Sequence, residues 1–186
     1  MTIGAVLLAG GKSSRMGQDK ATMLFQGEPL WKTQIELLRQ LRPKEILVSA
    51  QTDPGWRPVD TEFLADRQPS RGPLSGITAA LSRITTDHLL VLAIDVPFMT
   101  EAYLRSLCAG IQAGQGVVPI NQNLAEPLVA VYPRDAAVEF EHALTGDDFS
   151  LQPLIRKLIA LGKLRPIDVS AGEASFFHNL NEAKDL

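Results

Sequence analysis

The stretch IGAVLLAGGKSSRMGQDK, residues 3–20, decides the fold. It opens with an apolar run, Ile3–Leu8, and breaks at the adjacent glycines Gly10 and Gly11, after which Lys12, Arg15 and Lys20 follow closely. An apolar run without polar alternation is the pattern of a strand buried on both faces of a parallel sheet. The pattern returns at Glu45–Ala50 and His88–Ile94. Helical segments separate these runs. Leu30, Gln34, Leu37, Leu38 and Leu41 share one face at the helical period, with Pro29 suited to the first turn and Pro43 ending the segment. Further helices are expected at Leu74–Ile84, at Glu101–Ile111 after Thr100, and at Leu151–Leu161 behind the N-cap candidate Ser150. Further strands are expected at Gly116–Ile120, Leu128–Tyr132 and Leu164–Val169.

This alternation predicts an α/β fold, a three-layer Rossmann-like sandwich around a mostly parallel sheet. Ligands of such sheets sit beyond the carboxyl ends of the strands. That rule selects the Gly10-Gly11 loop, the Ser49–Asp53 turn and Asp95.

A chain of 186 residues builds one sizeable core, so residues 1–186 are expected to form a single domain. With 45% hydrophobic and 21% charged residues, disorder explains nothing here. The net charge of −3 provides no global positive field for nucleic acid or an anionic membrane, so any anion site must be local. Cys108 is the only cysteine; it cannot form an intrachain disulfide, fits a reducing compartment, and reads as a small apolar side chain on a helix. No basic residue precedes the short run Ile3–Ala9, and no run nears the ~20 apolar residues of a membrane helix. A cytoplasmic protein is expected.

Gly11-Lys12-Ser13 invites a P-loop reading, but Val6 stands where that motif needs its first glycine. The dinucleotide pattern fails as well, because the loop glycines are Gly10, Gly11 and Gly17. A different phosphate-binding loop remains. Paired glycines bring backbone amides close to anionic oxygens, Arg15 adds a planar fork, and Lys12 and Lys20 add point charges. The alternative is a solvated loop whose cations pair with acids such as Asp19.

Asp95 follows a buried run and precedes Val96-Pro97, so a carboxylate stands at a strand mouth where the chain turns. Mg2+ shared with substrate phosphates is a natural partner, since that ion usually takes one or two protein carboxylates. The alternatives are an ion pair with Arg15 or a helix cap. Glu126, Asn179 and Asn181 are secondary candidates for metal, water or acceptor contacts, against a surface turn or a cap of the last helix. His88, His142 and His178 form no zinc-ligand spacing, and Ser75 lacks the glycine that a G-x-S-x-G elbow requires.

At this point the chain resembles a known family, the molybdenum cofactor guanylyltransferases (MobA-like proteins). The resemblance lies in Leu8-Ala9-Gly10-Gly11 with Ser14-Arg15-Met16-Gly17 and Asp19-Lys20, Gly72-Pro73-Leu74-Ser75-Gly76, Asp95-Val96-Pro97, Glu126-Pro127-Leu128, and Phe177-His178-Asn179-Leu180-Asn181. It implies a fold of the nucleotide-diphospho-sugar transferase type and transfer of GMP from GTP to molybdopterin, with pyrophosphate released. It further implies nucleotide contacts from Leu8, Ala9, Gly10, Gly11, Lys20 and Asp66, and Mg2+ at Asp95. Ser49 stands where relatives often present an Asn to the nucleotide. The acceptor side falls to Gly76, Glu126, Asn179 and Asn181. Cytidylyltransferase relatives look more like Leu-Ala-Ala-Gly with Asn-Lys, so Leu-Ala-Gly-Gly with Asp19-Lys20 favours guanine.

The chemistry so implied is attack by the terminal phosphate of molybdopterin, with or without molybdenum bound, on the α-phosphorus of GTP. Arg15, Lys20 and Asp95 are the expected catalytic residues, working by positioning and charge neutralisation. Expected partners are GTP, molybdopterin and proteins of cofactor biosynthesis or molybdoenzyme maturation, with neither nucleic acid nor membrane. Competing readings are a nucleotidyltransferase of the same fold acting with CTP or on a sugar phosphate, and a nucleotide-binding regulatory module without catalysis.

Overall fold

The structure, a computed structural model, describes residues 1–10, 19–66 and 69–180. Along the chain run β1 (Ile3–Leu8), the hairpin β2 (Leu24–Phe25) and β3 (Glu28–Pro29), α1 (Leu30–Gln40), β4 (Ile46–Ala50) and β5 (Glu62–Ala65). There follow α2 (Pro73–Arg83), β6 (His88–Ala93), α3 (Glu101–Ala109), β7 (Gly116–Asn121), β8 (Leu124–Ala125) and β9 (Val129–Pro133). The last are α4 (Ala137–Leu144), α5 (Leu151–Ala160) and β10 (Leu164–Asp168).

An eight-stranded sheet runs in the order β10-β7-β9-β6-β1-β4-β5, with β8 paired to β7. β1 lies between β4 and β6 and is parallel to both, in register Leu8 to Ser49 and Leu8 to Ala93. β9 runs antiparallel to β6 and to β7, so the sheet is mixed but mostly parallel.

Side chains of a strand alternate between faces. In β1, Ala5 and Leu7 enter one core, with Leu30, Ile35 and Leu38 of α1 and Leu104 and Leu107 of α3. Val6 and Leu8 enter the other, with Leu74, Ile77 and Leu81 of α2, Phe140 of α4 and Leu158 of α5. β6 divides the same way, Leu90 and Leu92 against Leu89 and Val91. Two cores on either side of one sheet make the three layers and explain why these strands carry no polar alternation.

Local chemistry sets the helix ends. The Thr100 hydroxyl accepts from the Tyr103 N–H at 3.2 Å, capping α3. Ser150 differs from expectation: its side chain makes no capping bond to α5, and its own N–H donates to Asp148 Oδ1 at 2.8 Å. Cys108 lies half-buried on α3, and burial pushes its thiol up to about 11. Among the described residues no helix is long and apolar enough to cross a membrane.

Candidate active site

Backbone bonds gather the three central strand ends. The Ala9 N–H donates to the Ser49 carbonyl at 2.9 Å, and the Ile94 N–H donates to the Leu8 carbonyl at 3.1 Å. Beyond them opens a cleft of about 360 Å3 lined by Leu8 at the end of β1 with Ala9 and Gly10 after it, by Ile94 and Asp95 after β6, and by Lys20, Pro73 and Leu128. It lies at the carboxyl edge of the sheet, where the order of strands places a ligand.

Lys20 and Asp95 meet in this cleft. Lys20 Nζ stands 3.6 Å from Asp95 Oδ2, with about a quarter of each side chain exposed. A short 3-10 turn, Lys20–Thr22, carries the lysine, and Asp19 caps it by accepting the Ala21 N–H at Oδ1, 3.0 Å away. Residue 180 completes the frame: its carbonyl accepts from Lys20 Nζ at 2.9 Å, while its N–H donates to the Asp95 carbonyl at 2.9 Å. Leu180 was absent from the expected site because a backbone contact leaves no residue-type signal; its neighbour Asn179 is exposed.

Opposite, α2 opens onto the cleft with its N-terminus, the positive end of a helix macrodipole. Gly72 lines the cleft as the N-cap with φ 65°, a left-handed conformation that glycine adopts without strain. The Arg71 N–H donates to Ser75 Oγ at 2.8 Å and steadies that entry.

Asp66 is 7% exposed, and its Oδ1 accepts from the Ser49 hydroxyl at 2.7 Å. Its Oδ2 packs against Gly10, where a Cβ would lie 3.0 Å away. Two expectations are corrected here. Ser49 belongs to β4, not to the turn after it; it is 1% exposed, and its proton is committed to Asp66, so it supports that carboxylate from behind. Gly76 is buried within α2, where an added Cβ would come 2.6 Å from Ser49 Oγ and 3.1 Å from Leu8, so it packs the helix onto the strands and presents nothing to an acceptor.

Glu126 follows β8, half-buried, and accepts from Asn121 Nδ2 at 3.1 Å. Burial pushes its carboxyl above the usual range, against a smaller lowering by Asn121. Nearby, the Tyr103 hydroxyl is buried without a partner among the described residues, and burial with the charges of Glu173 and Glu126 pushes it up to about 12. Gly11, Arg15 and Asn181 lie outside the described residues.

Among the described residues no three His, Cys, Asp or Glu side chains gather as a metal cage. A single, partly exposed carboxylate at a strand mouth instead suits a hard cation that arrives with a polyphosphate and keeps water and phosphate oxygens as its other ligands. Glycine backbone, a lysine, a helix N-terminus and one carboxylate together are equipment for binding and neutralising a nucleoside polyphosphate.

Comparison with known proteins agrees with this geometry. Residues 5–163 match the MobA-like NTP transferase domain. A probable molybdenum cofactor guanylyltransferase of Opitutus terrae is 29% identical over 186 residues, covering 98% of this chain and 92% of that one. The molybdenum cofactor guanylyltransferase of Pseudomonas fluorescens is 32% identical over 168 residues, covering 87% of this chain and 82% of its own. The molybdopterin-guanine dinucleotide biosynthesis protein A of Archaeoglobus fulgidus shares the fold, with a TM-score of 0.77 at 23% identity over 98% of this chain and 94% of that one. With the fold, the cleft and these likenesses in agreement, the chain belongs to the MobA-like NTP transferase family and is a nucleotidyltransferase.

Proposed function

We propose that this nucleotidyltransferase moves GMP from GTP to the terminal phosphate of molybdopterin, giving molybdopterin guanine dinucleotide and pyrophosphate. The observation that carries the reading is the approach of Lys20 to Asp95, 3.6 Å apart in the cleft beyond β1 and β6. Support comes also from relatives that bear this activity in their names along nearly the whole chain.

In the reaction an oxygen of the acceptor's terminal phosphate forms a bond to the α-phosphorus of GTP, and the bond from that phosphorus to the bridging oxygen of pyrophosphate breaks. The second pKa of a phosphate monoester lies near ~6, so the nucleophile is already ionised at neutral pH and no protein base is needed. The protein's part is to hold two polyanions together and to offset charge on the leaving group. Gly10 and the amino end of α2 would take the nucleotide phosphates, and Lys20, with Arg15, would neutralise the departing pyrophosphate. Asp95 would hold Mg2+, which when bound supplies further neutralisation of phosphate oxygens. Glu126 and Asn179 would contact the acceptor, and the family resemblance assigns Asn181 the same role.

The test is a screen of GTP, CTP and ATP with Mg2+ and molybdopterin, measuring pyrophosphate and the dinucleotide formed. Turnover should occur with GTP far above the others. Preference for CTP, or binding of nucleotide without pyrophosphate release, contradicts the proposal.

A further inference from the structure

We propose that Trp56 is a positioning residue for Lys20, acting through Asp19. The indole Nε1–H of Trp56 donates to Asp19 Oδ2 at 2.9 Å, and the other oxygen of the same carboxylate caps the turn on which Lys20 sits. Both oxygens of Asp19 are thereby occupied, one by the loop after β4 and one by the Lys20 turn. The orientation of that turn, and with it the reach of Lys20 to Asp95, depends on where Trp56 holds Asp19.

Trp56 is itself firmly placed. Its ring stacks on Trp31 of α1, with centroids 5.6 Å apart and planes at 15°. The loop around it is braced by the Arg57 guanidinium, which donates to Asp53 Oδ1 at 2.8 Å and Oδ2 at 3.0 Å and also to the Pro58 and Thr61 carbonyls. Arg39 of α1 clamps the far end, donating to both oxygens of Asp60 at 2.7 and 2.8 Å. The Arg57–Asp53 pair, with two nitrogens on two oxygens, is a fork that fixes direction as well as distance. Such a loop delivers an indole N–H to one point, and that point is the carboxylate beside Lys20. Ring stacking alone would not require the N–H to face Asp19, so the hydrogen bond is separable from the packing.

The inference rests on the nucleotide-transfer reading above, and its test separates the two. Trp56→Phe keeps the ring on Trp31 and removes only the donor; Asp19→Asn leaves one oxygen for two donors. In nucleotide-free protein, either variant should speed hydrogen exchange at the Ala21 amide. With GTP, either should lower kcat/KM about three- to tenfold, the scale of the net worth of one ordinary hydrogen bond, since the effect reaches Lys20 only through Asp19. The same parameter that falls in Lys20→Met should fall here, and in a Lys20→Met background Trp56→Phe should change kcat/KM by less than about twofold. A purely structural tryptophan gives independent, multiplicative losses and leaves Ala21 protection unchanged; either result overturns the proposal. If Trp56→Phe fails to fold, Asp19→Asn decides by the same measurements. If the parent protein transfers nothing from GTP, the functional reading falls while exchange at Ala21 still decides the link between Trp56 and the Lys20 turn.

Discussion

Replacing Gly76 by alanine inserts one methyl group at the most crowded point behind the cleft. The new Cβ would lie 2.6 Å from Ser49 Oγ, 3.1 Å from Leu8 Cδ2 and 3.4 Å from Asp66 Oδ1. The hydroxyl has little room to turn aside, because Ser49 is 1% exposed and its bond to Asp66 is 2.7 Å long. Overpacking costs about 1–3 kcal/mol, and a 2.6 Å approach to a hydroxyl without room to move belongs to the upper part of that range, about 2–3 kcal/mol, while replacing a helical glycine by alanine returns about 1 kcal/mol of helix propensity. The crowding should win by about 1–2 kcal/mol, which for a chain of this size lowers Tm by roughly 2–8 °C. Thermal and urea unfolding of Gly76→Ala, Ser49→Ala and the double variant measure it. Removing the hydroxyl opens space for the methyl, so the double variant should be more stable than the sum of the single losses by about 1 kcal/mol. Unchanged or raised stability in Gly76→Ala, or additivity within about 0.3 kcal/mol, refutes the reasoning.

Tyr132→Phe should lower stability by about 1 kcal/mol without changing the slope of urea unfolding, because the buried phenol donates to the Pro127 carbonyl at 2.8 Å while its ring keeps the edge contact with Phe140. Glu126 governs a pH effect. Its carboxyl is raised above 4.5 in the folded chain, mainly by burial, so the folded state holds the proton more tightly and stability falls as pH rises from about 4.5 through the folded pKa. Glu126→Gln removes that loss. Its stability relative to the parent, from urea midpoints between pH 4 and pH 7, should increase with pH and then level; an advantage that shrinks as pH rises contradicts the burial argument.

The strands that build both cores were plain in the sequence because Ile3–Leu8 and Leu89–Ala93 serve two buried faces and so carry no polar side chain. Their helices were legible for the complementary reason: α1 and α5 each bury one stripe, Leu30, Ile35 and Leu38 in the first and Leu154, Ile155 and Leu158 in the second. What escaped lies where burial is thin. β5 is an edge strand of four residues whose ends, Glu62 and Ala65, are exposed, and α4 buries only Phe140 among its eight residues. Neither leaves a period to read. Position after a strand found Lys20 and Asp95, since β1 and β6 are neighbours. It misplaced Ser49, because residue type and chain position do not say whether a hydroxyl faces the ligand or a carboxylate behind it, and Gly76, named through family resemblance, is buried within α2. Asp66, following β5, was named through family resemblance alone, and the structure shows it buried behind Gly10 with Ser49 bonded to it.

The most direct measurement is the single-turnover rate of GMP transfer to molybdopterin by Asp95→Asn at saturating GTP, titrated with Mg2+. Loss of one essential charged ligand should cost at least about a hundredfold relative to the parent, and added Mg2+ should restore little of it. A rate within about twofold of the parent, with the same Mg2+ dependence, would contradict the account of Lys20 and Asp95 as the two poles of the site.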